Sequence, residues 1–230
     1  MRKCQGRVRV AGSVLEQRCI VPEMLDHAPP DVARASLRDL ARINRYLGGY
    51  YVLGRLFDDV VKPDDCFSVL DIGAASGDMG AAIRRRYRRA RVTSLDYKGD
   101  HLAQAAEPKL VADAFRLPFR LASFDFVFSS LFLHHFPNDQ VVDLFRSCRA
   151  LARRAVLAID LDRGPLAYHF LPSTRWLFGW HDITISDGRI SVAAALKKDE
   201  LLALALRAGL KGARVRVHRP WSRLSLLAPL

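Results

Sequence analysis

Residues 69–80 read VLDIGAASGDMG and decide the fold of the chain. A short apolar run ends in Asp71, a loop containing glycine follows, and a helical pattern begins near Met79. Gly73 permits a tight turn after the strand, and Gly77 lets the start of the helix approach a ligand without an intervening Cβ. The carboxyl ends of strands in an open α/β sheet are where ligands bind. The segment therefore predicts a strand, a ligand-binding loop and a helix.

The remaining sequence alternates apolar runs with amphipathic stretches, which is typical of a parallel sheet covered by helices. Strands are expected at residues 68–72, 92–95, 109–111, 124–129, 155–159, 214–218 and 223–227. Helices are expected in two pieces between 31 and 60 with a break at Gly48-Gly49, and at 79–89, 101–106, 138–151 and 198–208. Asn138 is a plausible N-cap, and Gly209 closes the last helix. Prolines and glycines make residues 161–190 look irregular.

Only a few residues, Pro220 among them, separate the last two expected strands. So short a connection cannot contain a crossover helix, and the two strands should form an antiparallel hairpin. A parallel sheet that ends in such a hairpin argues against a simple dinucleotide dehydrogenase. The absence of the GxGxxG fingerprint argues the same way.

Length and composition fit one α/β domain, since the chain has 230 residues of which 50% are hydrophobic. No run of about 18 apolar residues predicts a membrane span, and the basic N-terminus lacks the apolar core of a secretory signal. The cysteines are scattered and favour neither a zinc site nor a disulfide framework, so no metal and a cytoplasmic setting are expected. They are Cys4, Cys19, Cys66 and Cys148.

The chain is basic, with a formal net charge of +12. Five basic residues lie in the first 20 positions, and six arginines lie close together: Arg84, Arg85, Arg86, Arg88, Arg89 and Arg91. A basic surface attracts nucleic acid, anionic membranes or acidic substrates. Apart from Tyr87, however, no stacking aromatic interrupts these arginines, which favours a solvated face.

Two acidic residues follow later strands. Asp96 ends VTSLD, 19 residues after Gly77, and a carboxylate there can accept both hydroxyls of a ribose. NAD-binding proteins use the same arrangement, so Asp96 alone does not identify the cofactor. Asp113 lies in ADAF, residues 112–115, after the expected third strand.

Together these segments resemble the cofactor half of class I methyltransferases that use S-adenosylmethionine (SAM), with Ala75 in place of the middle glycine of the loop. The resemblance implies a seven-stranded, mostly parallel Rossmann-like sheet of order 3-2-1-4-5-7-6, with strand 7 antiparallel and helices on both faces. It places Asp71 at the amino group of SAM, Asp96 at the ribose and Asp113 at the adenine. The implied cofactor-binding residues are Asp71, Gly73, Ala74, Ala75, Gly77, Asp96, Tyr97, Asp113, Ala114, Phe115, Ser129, Ser130 and Leu131.

Residues 124–139, FDFVFSSLFLHHFPND, resemble the small-molecule branch of this family, including ubiquinone-, menaquinone- and polyketide-tailoring methyltransferases. They do not resemble the NPPY-type segment of many base methyltransferases. The resemblance places Ser129, Ser130 and Leu131 beside the methionine moiety. A histidine near the methyl group would suit a general base for a phenol. His134 and His135 are both candidates, and at most one of two adjacent side chains should face the substrate.

An aromatic-rich insert over residues 162–190 is expected to form the substrate wall of the domain. His169, Trp176 and Trp180 are the candidate wall residues, although these rings could instead cover the edge of the sheet. Residues 1–60 are expected to form an extension and a helical lid, and residues 61–230 the methyltransferase domain.

The favoured function is methyl transfer from SAM to a phenolic or quinol oxygen of a small aromatic molecule, by a monomer or homodimer. An RNA or protein methyltransferase that uses the basic surface is the main alternative. A non-enzymatic SAM- or nucleotide-binding module and an NAD-linked oxidoreductase also remain open.

Overall fold

A computed structural model describes residues 15–230 as a seven-stranded sheet with helices on both faces. The strands are β1 (Phe67–Ile72), β2 (Ala90–Asp96), β3 (Lys109–Val111), β4 (Phe124–Ser130), β5 (Ala152–Leu161), β6 (Arg214–His218) and β7 (Arg223–Pro229). Their order is β3-β2-β1-β4-β5-β7-β6, and β7 pairs antiparallel with both β5 and β6. The fold and the terminal hairpin expected from the sequence are thereby confirmed.

Eight α-helices accompany the sheet within the described residues. They are α1 (Pro30–Tyr46), α2 (Gly49–Asp58), α3 (Asp78–Arg86), α4 (Gly99–Leu102), α5 (Asn138–Leu151), α6 (Pro165–Phe178), α7 (Asp182–Ala194) and α8 (Lys198–Arg207). Short 3₁₀ turns lie at Leu25–His27 and Leu133–His135. No helix within residues 15–230 has both the length and the apolar character that crossing a bilayer requires.

Alternate residues of the central strands supply two apolar layers, because successive strand side chains point to opposite faces. Leu70 and Val127 belong to one layer, which includes Phe145 of α5. Phe126 belongs to the other layer, which includes Phe57 of α2. Both faces of the sheet are therefore covered, and its carboxyl edge is left for the site.

The break between α1 and α2 is fixed by a glycine against an indole ring. Gly48 has φ +81°, and a Cβ built on it would lie 2.3 Å from Cγ of Trp221. Only glycine adopts this conformation readily and allows such an approach. The expected helix pair with a break at Gly48-Gly49 is confirmed.

Two local expectations are wrong. Residues 161–190 are largely helical, because Pro165 begins α6 and that helix continues through Pro172, while α7 follows after Gly179. The N-cap of α5 is Pro137, and Asn138 is instead the first helical residue, whose side-chain oxygen accepts a hydrogen bond from Arg18 at 2.5 Å. Residues 1–14 of the expected N-terminal extension, with Cys4 and four of its five basic residues, lie outside the described residues.

Candidate active site

A cavity of about 1000 Å³ opens at the carboxyl ends of β1 to β5. Residues that directly follow these strands line it, among them Gly73, Asp96, Asp113 and Leu131. Helices α1, α6 and α7 and the segment before α1 line the remainder of the cavity. Cavities that hold one drug-sized ligand range from about 300 to about 1000 Å³, so this one lies at the upper end of that range.

The loop after β1 has three residues in the left-handed region. Gly73 has φ +70°, Gly77 has φ +72° and Ala75 has φ +45°. Ala75 thus occupies a conformation that favours glycine, and its amide donates a hydrogen bond of 2.8 Å to Oδ2 of Asp96. Gly73 and Ala75 line the cavity. Ala74, between them, is buried, and Gly77 is the N-cap of α3.

Asp96 lies on the cavity wall with each carboxylate oxygen accepting one backbone hydrogen bond. Oδ2 accepts from the Ala75 amide at 2.8 Å, and Oδ1 accepts from the Lys98 amide at 2.9 Å. A carboxylate has about four lone-pair sites, so further acceptor capacity remains for a ligand's hydroxyls. Tyr97 also lines the cavity but is 75% exposed.

The segment after β3 forms a second part of the wall. Asp113, Ala114 and Phe115 all line the cavity, and Oδ1 of Asp113 accepts a hydrogen bond of 2.9 Å from the Phe115 amide. The Phe115 ring packs edge-on against Phe136, with the ring centroids 5.1 Å apart. This arrangement presents a flat apolar surface beside a carboxylate.

Besides Ala74 and Gly77, three expected cofactor residues do not line the cavity: Asp71, Ser129 and Ser130. Asp71 is 1% exposed, its Oδ2 has no hydrogen-bond partner among residues 15–230, and burial together with Asp78 and Asp96 raises its pKa well above the usual range. Ser129 is buried, and Ser130 does not line the cavity. Leu131, at φ +52°, does reach the wall. Non-glycine residues held in this region are frequent at functional sites.

His134 is buried in contact with two acidic side chains. Its Nδ1 lies 2.6 Å from Oδ1 of Asp160, and its Nε2 lies 3.5 Å from Oε1 of Glu23. Burial alone would lower the pKa of His134, but the two carboxylates outweigh burial and raise the pKa to about 10. His134 therefore holds its proton at neutral pH and is unsuited to act as a free general base.

His135 stacks on His134, with the ring centroids 4.4 Å apart, and lines the cavity. Burial, and then the charge of His134, lower the pKa of His135. The imidazole is thus neutral at physiological pH and has a lone pair for a ligand. Of the two histidines proposed from the sequence, His135 is the one suited to accept a hydrogen bond or a proton.

Glu23 is a cavity residue that the sequence analysis missed. Its carboxylate accepts a hydrogen bond from the Ser191 hydroxyl and faces His134. Burial would raise the pKa of Glu23, but its interactions with His134, His135 and Ser191 keep it below its usual value. The segment is anchored because Asp187 accepts hydrogen bonds from the amides of Met24 and Leu25, at 2.9 and 2.8 Å.

Asp160 was also missed, although it ends its strand region as Asp71 and Asp96 do. Its Oδ2 accepts hydrogen bonds from the amides of Leu133 and His134, at 2.9 and 3.2 Å. Interaction with His134 keeps the pKa of Asp160 below its ordinary value, despite the burial that would raise it. An acid at the carboxyl end of the fifth strand was the available sequence signal.

The expected substrate-wall residues need correction. None of the three expected residues lines the cavity. Trp176 is 83% exposed, and Trp180 is buried against Phe178 and Arg42. His169 packs against Tyr168. Their helix contributes different side chains, because α6 turns another face to the cavity. The apolar wall of the cavity includes Leu40, Ile43, Leu166, Phe170, Leu171 and Trp221.

Arg223 brings a buried positive charge to the cavity. It is 1% exposed, and its Nη2 donates to Oδ1 of Asn44 at 3.1 Å, while Nη1 has no hydrogen-bond partner among the residues that the structure describes. Burial lowers the pKa of Arg223 to about 10, so the side chain stays charged at neutral pH. Asn44 also donates to Asp78 at 3.0 Å, which places the guanidinium near the start of α3.

Known proteins show the same architecture. Residues 69–155 match a family described as methyltransferase domain. The plantazolicin methyltransferase BpumL, in complex with S-adenosylhomocysteine (SAH) and a triazolic desmethylPZN analogue, superposes with a TM-score of 0.66 and 13% identity, over 89% of this chain and 93% of that one. A SAM-dependent methyltransferase from Aquifex aeolicus has a TM-score of 0.58 and 13% identity, over 88% of this chain and 98% of that one.

A candidate O-methyltransferase from Nostoc punctiforme has a TM-score of 0.59 and 17% identity. The match covers 83% of this chain but 60% of the length of that protein. Among curated sequences, none matches the chain. These similarities concern the fold, and the matched segment contains the loop after β1 and the ends of β2 to β4. The chain thus has the fold of these methyltransferases, and residues 69–155 are similar to the methyltransferase domain family.

Proposed function

We propose that the chain transfers a methyl group from SAM to an oxygen of a small, largely apolar aromatic molecule, such as a phenol or a quinol. The observation that carries this proposal is a cavity of about 1000 Å³ whose lining residues fall into two sets. Each set surrounds one part of the cavity, and we call these parts its two compartments. One compartment lies at the ends of β1 to β3. The other lies between His135, the apolar wall and the N-terminal segment.

The residues of the first compartment fit SAM. Asp96 retains acceptor capacity for the ribose hydroxyls, and Asp113 and Phe115 suit an adenine. The unpaired Nη1 of Arg223 provides a positive charge for the carboxylate of the methionyl moiety. The carboxyl group of Asp71, buried behind the loop, would ionise when the amino group of that moiety approaches. Bound SAM would supply a methyl group on a sulfonium, which is already a strong electrophile.

The second compartment suits a flat apolar acceptor with one polar end. Leucine, isoleucine, phenylalanine and tryptophan side chains form most of its wall. Glu23 and the two histidines supply the polar surface, and His135 is the one that can receive the hydroxyl of the acceptor. The residues contribute mainly by holding the acceptor oxygen against the methyl group and by excluding water.

The arginines between residues 84 and 91 give little support to the nucleic-acid alternative. Helix α3 starts at the carboxyl edge of the sheet and runs back towards the start of β2, so these residues lie at the edge opposite the cavity. Several bind groups of the chain itself, since Arg86 pairs with Asp58 at 2.5 Å and Arg84 donates to the Val92 carbonyl at 2.6 Å. A small-molecule acceptor is the function that the cavity favours.

The proposal is tested by following methyl transfer from isotopically labelled SAM to a panel of acceptors. Phenols and quinols should be labelled on oxygen, whereas matched aryl methyl ethers and short RNA should not be. Equal labelling of the ethers on carbon would refute oxygen as the acceptor. Labelling of RNA alone would refute the small-molecule assignment.

A further inference from the structure

Glu23, His134 and His135 form a cluster at the wall of the second compartment. One potential ligand atom from each lies within 4.8 Å of the other two. Within residues 15–230, this is the one group of histidine, cysteine and acidic side chains so arranged. The three residues come from the segment before α1 and from the turn after β4, so folding alone brings them together.

Asp160 sets the orientation of the His134 ring. Because Nδ1 lies 2.6 Å from Oδ1 of that carboxylate, Nδ1 carries the hydrogen and Nε2 turns away from it. Carboxylate–histidine pairs of this kind support the histidine ligands of metal sites. Nε2 is buried, has no hydrogen-bond partner within the described part of the chain, and is aimed towards Glu23.

The distance between His134 and Glu23 fits two ligands of one ion better than it fits a hydrogen bond. Nε2 and Oε1 are 3.5 Å apart, whereas a charge-assisted hydrogen bond between nitrogen and oxygen spans about 2.7–2.9 Å. Two donors bound about 2.0–2.1 Å from a tetrahedral zinc ion lie about 3.3–3.4 Å from each other. A small displacement of either side chain would thus complete the geometry.

Glu23 and His135 complete the set of donors that His134 begins. Glu23 is held by the Ser191 hydroxyl, and its segment is held by Asp187. His135 lines the cavity, and one of its ring nitrogens lies within 4.8 Å of the ligand atoms of Glu23 and His134. Two imidazoles and one carboxylate form the donor set of catalytic zinc sites, which keep a position open for water or substrate.

We propose that Glu23, His134 and His135 bind one divalent transition-metal ion, with zinc the best match, which displaces the proton from Nε2 of His134 and leaves a coordination position open to the cavity. The role of the ion rests on the proposed function. In this arrangement the open position, rather than the His135 ring, would take the hydroxyl oxygen of the acceptor, which then loses its proton to solvent more readily. A new carbon–oxygen bond then forms as the sulfur–carbon bond of SAM breaks, and SAH is released.

The test measures metal binding without reference to activity. The full chain, without a polyhistidine tag, is stripped with a chelator and titrated with Zn²⁺ by calorimetry and with Co²⁺ by visible absorption. We expect one saturable equivalent of each ion and the absorption bands of a Co²⁺ ion with nitrogen and oxygen ligands. If the folded wild-type protein shows no saturable binding of either ion, the proposal is overturned.

Variants locate the ion. Glu23→Gln and His135→Ala should each weaken binding at least tenfold, and Asp160→Asn should weaken it about 10- to 100-fold by releasing the His134 ring. His169→Ala, which removes a histidine that does not line the cavity, should leave binding unchanged. Equal affinity in all four variants would contradict the site, provided that thermal unfolding shows each to be folded.

Titration of the same samples with SAH keeps the two proposals separable. Protein that binds SAH but no metal would refute the metal site and leave the proposed function standing. Protein that binds metal but no SAH would refute the cofactor assignment and leave the metal site standing.

Discussion

Nδ1 of His134 lies 2.6 Å from Oδ1 of Asp160, and both side chains are almost fully buried. The same carboxylate accepts the amides of Leu133 and His134. Asp160 therefore fixes both the backbone and the imidazole of the turn that follows β4. Removing one member of a buried charged pair leaves the other without compensation, which is costly.

Asp160→Ala should therefore destabilise the protein by about 3–5 kcal/mol. For a chain of this size, the melting temperature should fall by roughly 2–4 °C per kcal/mol. Differential scanning calorimetry measures the change, with Asp162→Ala, at a half-exposed neighbouring acid, as control. A melting temperature within a degree or two of wild type for Asp160→Ala would contradict the role given to the pair.

Asp71→Asn should stabilise the ligand-free protein at neutral pH. Burial raises the pKa of Asp71, so the folded state binds its proton more tightly than the unfolded state does. The group therefore favours folding at low pH, and this contribution is lost as the pH rises through the folded pKa. A neutral amide removes the cost of ionisation, so the stability gain should be larger at pH 8 than at pH 5.

Denaturant unfolding of Asp71→Asn and wild type at the two pH values measures this difference in unfolding free energy. SAH affinity should fall in the same variant, since the neutral amide of asparagine cannot supply the negative charge that an ionised Asp71 would place near the amino group of the ligand. A gain in stability that is the same at both pH values would show that ionisation of Asp71 is not the cause.

Phe170→Ala should raise KM for the acceptor without changing SAH affinity. The ring lines the apolar compartment, and its removal takes away contact area that the acceptor would cover. Trp176→Ala is the matched control, because the same helix carries that ring at 83% exposure. Steady-state kinetics that show equal KM changes in the two variants would contradict the placement of the wall.

Gly48→Ala should destabilise the protein more than Gly179→Ala does. Both glycines have positive φ, +81° and +62°, so both variants incur the left-handed cost of roughly 1–2 kcal/mol. At Gly48 the new Cβ would meet the Trp221 ring, whereas no atom of residues 15–230 lies within 4 Å of a Cβ at Gly179. Equal losses of unfolding free energy would show that the packing of Gly48 against Trp221 does not matter.

The sheet could be predicted from the sequence because its strands are short apolar runs bounded by turn signals. Three of them are followed or ended by the acids Asp71, Asp96 and Asp113, which also predicted the edge where a ligand would bind. Helix α6 could not be predicted in this way. It has no buried residues, and Pro172 lies inside it, so no apolar stripe indicates a helix.

The candidate site was only partly predictable, for a related reason. His135 and the residues after β1 to β3 lie where the order of strands puts them. Glu23 lies in a segment without periodicity and is far from His134 in the chain, so nothing in the sequence joins them. The wall residues were wrong because an aromatic-rich segment does not reveal which rings face inward until its helical phase is known.

Asp96→Ala should weaken SAH binding by more than tenfold, about 1.4 kcal/mol or more. The variant removes the carboxylate that holds the Ala75 amide and that would accept the ribose hydroxyls. Asp100→Ala, at an exposed acid close by in the chain, should leave the affinity unchanged. An unaltered affinity in Asp96→Ala would refute the ribose assignment.

Calorimetric titration of the purified wild-type chain with SAH is the most direct measurement of the central claim. A saturable one-to-one isotherm, competed by SAM and not by NAD, is the expected result. A flat isotherm from folded protein at high SAH concentration would contradict it.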